Sequence, residues 1–536
     1  MKKMLGFIHD RPAVMYITAI VLVFPALLIN LGMVPVIFVP DEAIRGLVSL
    51  EMMISENYIV PTLNGVHYYN KPPLFNWLII LMFELTGSTS LFAMRMVTIL
   101  GLIGFALTIY YYLSKHYSRR FALFNALMFI TCGRILLWDS FLALIDITFS
   151  WVIFVNFMVI YHQYDAKKYL RLFLISYLLI SAAFLMKALP AVAFQGISLL
   201  VFFIYQKDFK RLFHWQHFAG MGVFVLLVGG YYLWYSQYNT LDELLPNLIN
   251  ESNKRTVIRY GWYETFIHLF EFPVEQLYHF APWSLLIFFL FSKKVMREIW
   301  NTPFLKFSFL MFASNIVLYW TSPEVHPRYI LMLAPLLFVL FSYFGIYKKS
   351  GHPALHKGLE YLFLVVAVAA SLGMWYVPFH PDTQGIPYLW PKVVTLAVAA
   401  TFFTFLYYKI PAQRMIIFVI MLLIMRIGFD WFVFPPRAEH LRQYREDAEH
   451  VGKITKGKDL YLYKGTIRDN PNSFIITRER MKILEVADNK KHDNALYLSE
   501  KPFLEGERYR ELFDYTIYFE RRHLVLVDFK DDASVN

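Results

Sequence analysis

Cysteine is almost missing from this chain: Cys132 stands alone, inside an apolar run. That excludes a disulfide framework and any thiolate metal site. Charge is scarce too, at 17% of residues, against 57% hydrophobic and 18% aromatic. No soluble globular class combines those values, and length alone no longer argues for several soluble domains. No glycine-rich loop follows a strand and opens a helix, so a nucleotide donor finds no cradle. The formal net charge of +11 does not form one basic face; Lys and Arg sit in short loops between apolar runs, which argues against nucleic acid. Internal repeats and low-complexity segments are also lacking.

What is present is a series of apolar runs of membrane length. Thirteen fall near 13–35, 91–113, 121–138, 140–162, 170–186, 189–206, 215–236, 276–292, 303–321, 328–347, 359–377, 389–408 and 413–434. Residues 1–38 read as an uncleaved signal-anchor, with Lys2, Lys3 and Arg11 ahead of the first run. A shorter candidate, 72–86, carries Asn76 and Glu84. If it does not cross, Lys115, Arg119, Arg120, Lys167, Lys168, Lys207, Lys210, Arg211, Lys293, Lys294, Arg297, Lys348, Lys349, Lys357 and Lys409 all fall on one side. If it crosses, the positive-inside rule breaks at every later loop, so 72–86 reads as an interfacial or re-entrant helix. The N-terminus is then cytoplasmic, and the long loop 237–275, read as a mobile cover, lies outside with the C-terminal part. The expected organisation is a helical membrane domain over 1–434, with its first outer loop at 36–90, and a soluble α/β domain over 435–536. In that domain Arg437–Ile454 reads as helix. Strand-like runs stand at Leu460–Tyr463, Phe474–Thr477, Ile483–Val486, Ala495–Leu498, Tyr515–Phe519 and Leu524–Phe529.

Ionisable residues inside apolar runs cost about 2.5–3.5 kcal/mol at mid-helix, so their positions carry information. Arg95, Arg134, Asp146, Lys187, Arg328, Lys392, Arg426 and Asp430 all pool toward the outer face, as expected of a one-sided site and not of a carrier with polar groups at the midplane. The richest stretch is Pro40-Asp41-Glu42-Ala43-Ile44-Arg45, continuing through Ile59-Val60-Pro61 to Tyr68-Tyr69-Asn70-Lys71-Pro72-Pro73. Asp41 reads as a helix N-cap with Glu42 in the first turn, and Ile44, Leu47 and Val48 suggest a helix lying along the membrane surface. A capped surface helix with an Asp41–Arg45 ion pair and a snorkelling Lys71 is the plain structural alternative. An ion pair with Arg134 is the corresponding alternative for Asp146. Glu264/His268 and Glu275/His279 each stand one helical turn apart and could face a divalent ion, although helix-surface pairing is commoner.

Asp41-Glu42-Ala43, Ile59-Val60-Pro61, Gly65 and Tyr69-Asn70-Lys71-Pro72-Pro73 together resemble the first outer loop of bacterial GT-C glycosyltransferases, namely the aminoarabinose transferases acting on lipid A and the wider protein O-mannosyltransferase-like family (glycosyltransferase family 39 type). Weaker matches follow at Ala143–Thr148, Lys187-Ala188-Leu189-Pro190, Pro282-Trp283-Ser284 and His326-Pro327-Arg328-Tyr329. The chain departs from the family pattern at Ile44, where an Arg is common, and at Asn70, where a Glu is common. The resemblance implies a multi-pass enzyme of the bacterial inner membrane with a periplasmic site and C-terminal domain. It would move a sugar, with inversion, from a polyprenyl (undecaprenyl) monophosphate to lipid A, another envelope glycan or a protein. It further implies Asp41 as the catalytic carboxylate, supported by Glu42 and Asp146. Lys71 and Arg328, with Arg45 and Lys187, would serve the departing phosphate, and Tyr69, His326 and Tyr329 the acceptor. A divalent metal is the one cofactor the family brings into question, with Glu264 and His268 as the ligands available here. A transporter or flippase of lipid-linked saccharides is the competing class.

Overall fold

The computed structural model describes residues 2–244, 246–247, 250, 257–349, 353–488 and 495–529. Part of the outer loop 237–275 read as a cover therefore lies outside the described residues. Backbone contacts divide the chain into two compact units: one of Met1–Leu31, Thr98–Gly230 and Pro246–Phe434, the other of Gly32–Val97, Tyr231–Leu245 and Pro435–Asn536. The residues of the first outer loop thus group with the C-terminal part of the chain.

Among the described residues, eight helices are long and apolar enough to cross a membrane, and a bent pair, Arg119–Ile130 with Gly133–Phe141, supplies up to one more. The chain is a multi-pass membrane protein. Four shorter apolar helices accompany these, among them Ala13–Leu28 and Leu74–Thr86. At 13 residues the last is about 20 Å long, short of a hydrocarbon core about 30 Å thick. The run expected at 276–292 is not one helix. Val257–His279 ends there, Ala281 and Pro282 interrupt, and Trp283–Leu290 continues as a 3-10 turn. Proline cannot supply the missing backbone N–H, so apolar composition alone overstated this element.

The first unit locks its helices with buried polar groups. Ser176 donates to Asn156 (2.7 Å), Asn156 to Gln195 (2.8 Å) and Gln195 back to Ser176 (2.8 Å). This closed ring joins helices Ile145–Asp165, Tyr169–Lys187 and Leu189–Tyr205. Between apolar helices, which gain little from burying more hydrocarbon, such bonds fix register. Arg426 is paired with Asp430 at 2.8 Å and also donates to Ser140, both ions being fully buried.

The second unit is built on helix Pro40–Ile54. It begins at Pro40 with Val39 as the flanking residue, so Asp41 is in the first turn and is not the N-cap. Nor is the helix a surface element: Glu42, Ala43 and Arg45–Met52 are all buried. Its polar residues find partners inside the unit, which is why hydrophobic patterning misjudged its exposed face. Gly46 lets Phe474 approach so closely that a Cβ there would lie 2.6 Å from the ring. Phe474–Thr477 belongs to helix Asn470–Arg480 and is not a strand. Asp469 caps that helix by accepting from the Asn472 amide, with Pro471 in the first turn, a start signal that outweighs the β-branched run. The remaining strands form a five-stranded sheet in the order Glu485–Ala487, Leu460–Tyr463, Leu496–Ser499, His523–Phe529, Tyr509–Thr516. Its first three strands pair in parallel and its last pairings are antiparallel.

Candidate functional site

In the first unit three of the expected residues meet. Asp146 lies in the first turn of helix Ile145–Asp165, Lys187 is the last residue of Tyr169–Lys187, and Arg328 sits in the 3-10 turn Pro327–Ile330. One carboxylate oxygen of Asp146 accepts from Lys187 Nζ at 2.5 Å, and the other faces Arg328 Nε at 3.2 Å. All three side chains are at least nine-tenths buried. The Lys187 ammonium also lies 3.8 Å from the centroid of the Tyr329 ring, and His326, exposed, stands edge-on to that ring at 5.4 Å. Ala188, directly after the lysine, has φ +57° and ψ −130°. A non-glycine residue held there marks a backbone constrained by its surroundings, and it ends the helix where Lys187 is needed. The alternative partner for Asp146 is engaged elsewhere: Arg134 makes two bonds to Asp139, at 2.9 and 3.0 Å.

In this cluster one carboxylate faces two cations in a region of low dielectric, where charge acts strongly. Both oxygens of Asp146 are thus engaged by these cations. Asp146 therefore positions Lys187 and Arg328, a relation that neither spacing nor composition could show.

The second unit arranges its polar residues differently. Glu42 is held at both oxygens by Arg95, at 2.8 and 2.7 Å, and the pair is fully buried. Arg45 donates to the Tyr68 hydroxyl and lies over the same ring, 5.3 Å from its centroid. Asn76 donates to the Arg45 carbonyl (2.9 Å) and to Ser49 (3.0 Å), joining Pro40–Ile54 to Leu74–Thr86. Asp41 is exposed, and Lys71 is half-buried just before Pro72 and Pro73. The Tyr69 hydroxyl accepts from Asn239 at 3.1 Å, and burial raises its pKa from the ordinary tyrosine value.

Glu51, which the sequence did not single out, is fully buried. It accepts from Thr62 (2.7 Å) and from the amides of Asn64 (2.6 Å) and Gly65 (3.1 Å), clasping the hairpin Thr62–Leu63/Val66–His67. Burial raises its pKa against those hydrogen bonds. Gly65, at φ +72°, supplies the turn that brings both amides to one carboxylate. The signal was there to find: an acid in an apolar helix shortly before an Asn-Gly turn.

Glu264 is exposed and His268 buried, while Glu275 and His279 lie 3.5 Å apart. Among the described residues, no group of three or more His, Cys, Asp and Glu could hold a metal ion. Resident zinc or calcium takes four or more ligands, so Glu264 and His268 do not by themselves make a resident site.

The family described as Dolichyl-phosphate-mannose-protein mannosyltransferase matches residues 70–234. Two crystal structures of ArnT from Cupriavidus metallidurans share the fold. The one bound to undecaprenyl phosphate covers 97% of this chain and 99% of its own at TM-score 0.67 and 15% identity. The apo form covers 96% and 97% at TM-score 0.66 and 17% identity. Fold and matched segment together define the class: the chain is a membrane glycosyltransferase. Its fold is similar to that of a GT-C enzyme, ArnT, and its sequence to aminoarabinose transferases. It is 22% identical over 374 residues to the undecaprenyl phosphate-alpha-4-amino-4-deoxy-L-arabinose arabinosyl transferase of Shewanella sediminis, an alignment spanning 65% of this chain and 64% of that one. An uncharacterised protein of Aquifex aeolicus is 24% identical over 432 residues, 80% of each chain.

Proposed function

We propose that this enzyme transfers a sugar from a polyprenyl monophosphate to an acceptor on the outer side of the bacterial inner membrane, with its N-terminus in the cytoplasm and its C-terminal domain outside. The observation that carries the phosphate assignment is the gathering of two buried cations, Lys187 and Arg328, on the one carboxylate of Asp146. As the sugar C1–O bond to the donor phosphate breaks, its electron pair moves to the phosphate oxygen, and Lys187 and Arg328 stabilise that charge. The acceptor oxygen attacks C1 from the opposite face, inverting it, and gives its proton to a carboxylate. Asp41 is assigned that role because it is the exposed acid of its helix, whereas Glu42 is saturated by Arg95. Lys71 and Arg45 are assigned to the donor head, and Tyr69, His326 and Tyr329 to acceptor contacts.

The acceptor is a lipid-linked glycan such as lipid A, with another envelope glycan or a protein as the other acceptor classes. The transporter reading is not favoured, because Asp146 and Lys187 lie at helix ends and a carrier gathers its binding groups near the membrane midplane. The test is turnover of a polyprenyl-phosphate sugar by the purified protein in liposomes containing candidate acceptors. Product with wild type and none with Asp41→Asn supports the reading; transfer undiminished in Asp41→Asn removes that residue from the chemistry. Retained turnover after exhaustive chelation would place the phosphate's stabilisation on side chains alone, and its loss would call for a divalent ion.

A further inference from the structure

Helices Ala13–Leu28, Leu91–Leu113 and Arg119–Ile130 enclose a groove of about 500 Å³ that lies wholly within the first unit. Its wall is apolar along almost its whole length, with Ile17, Phe24 and Leu107 more than half exposed toward it or toward lipid. One end is different. There Tyr16 and Tyr110 meet Arg119 and Arg120. Both arginines are exposed, and neither is paired with a carboxylate among the described residues. The groove shares Tyr16 and Arg120 with a second cavity of about 610 Å³, lined in part by His9, Ser118 and Lys349.

We propose that this groove is a binding site for an anionic phospholipid, with one acyl chain along the apolar wall and the phosphate on Arg119 and Arg120. Depth supports this occupant. From Ala13 to Phe24 the groove follows its helix for twelve residues, a rise of about 16 Å, which matches one leaflet of a hydrocarbon core about 30 Å thick. Chemistry supports it as well: guanidinium groups grip phosphate oxygens bidentately, and tyrosines at the same level suit the headgroup boundary. The neighbouring cavity, with His9, Ser118 and Lys349 on its wall, gives the rest of the headgroup room. The arginines belong to the loop assigned to the cytoplasmic side, so the lipid would come from the leaflet opposite the chemistry and serve as a bound structural ligand, not a substrate.

The test is native mass spectrometry of the full chain released from nanodiscs containing equal phosphatidylglycerol and phosphatidylethanolamine of identical acyl chains. At about 1 kcal/mol per basic residue near a charged surface, two arginines give a preference for the anionic lipid of about thirtyfold. Arg119→Gln/Arg120→Gln should retain lipid but lose the preference, while Arg119→Lys/Arg120→Lys keeps most of it. Ala106→Trp, which fills the groove, should release the lipid and leave donor turnover unchanged. Glycerol phosphate, offered as a soluble competitor, should not displace it. Equal retention of both lipids by wild type, an unaltered preference in the double glutamine variant, or displacement by glycerol phosphate would each overturn the proposal.

Discussion

Two buried charge clusters, one in each unit, differ in make-up. In the second unit Arg95 makes two bonds to the carboxylate of Glu42. In the first, the one carboxylate of Asp146 is shared by two cations, Lys187 and Arg328, although the same unit also holds the simple pair Arg426–Asp430. A guanidinium joined to both oxygens of one carboxylate holds a fold together. Two cations of different kinds gathered on one carboxylate also set out donors that an anion can use. Burial of an ion pair therefore says little about function until its composition is known.

Substitutions sharpen the contrast, beginning with the largest expected effect. Asp41→Asn should lower turnover by about 10²–10⁴-fold, the usual range for a general base, with thermal unfolding unchanged. Arg95→Met should leave Glu42 buried and unpaired and destabilise the protein by about 3–5 kcal/mol, read as lost expression and an early melt. Equal stability in that variant would show that the Glu42–Arg95 pair does not hold the second unit's fold. Gly46→Ala should cost about 1–3 kcal/mol by overpacking against Phe474, measured by thermal or denaturant unfolding, without altering donor affinity.

The smallest effect is a pH dependence in the second unit. Burial raises Asp469 from the ordinary carboxylate value to about 6. The folded state then binds the proton more tightly than the unfolded chain, so this residue's contribution is fullest below about pH 4. It is lost as pH climbs through 6. Asp469→Asn keeps a helix cap and should flatten the melting temperature between those pH values; an unchanged slope would assign the dependence to other groups.

These comparisons also show what the sequence could convey. Long apolar helices and scattered basic loops were legible because membrane insertion reads composition directly, and the strands at 460–463 and 524–529 because they are short runs of β-branched, aromatic and aliphatic residues set in charged sequence. The run at 276–292 was misjudged because apolar composition does not register what Pro282 does to a backbone. Phe474–Thr477 was misjudged because an Asp-Asn-Pro helix start outweighed β propensity. Among the candidate residues, Asp41, Lys71, Lys187 and Arg328 stood out through residue type and position. Their relations did not. That Asp146 bridges two cations, that Glu42 is spoken for by Arg95, and that Glu51 clasps the 62–67 hairpin all depend on contacts between segments distant in sequence. Periodicity carries no record of such contacts.

The central claim is that the two cations of the Asp146 cluster receive the donor phosphate, and binding of undecaprenyl monophosphate to Lys187→Met in detergent tests it most directly. Removal of one preorganised cation should weaken that binding at least tenfold, and lower turnover by about 10²–10³-fold, while the protein remains folded and the Glu42–Arg95 pair is untouched. Affinity equal to wild type in a folded Lys187→Met protein would contradict it.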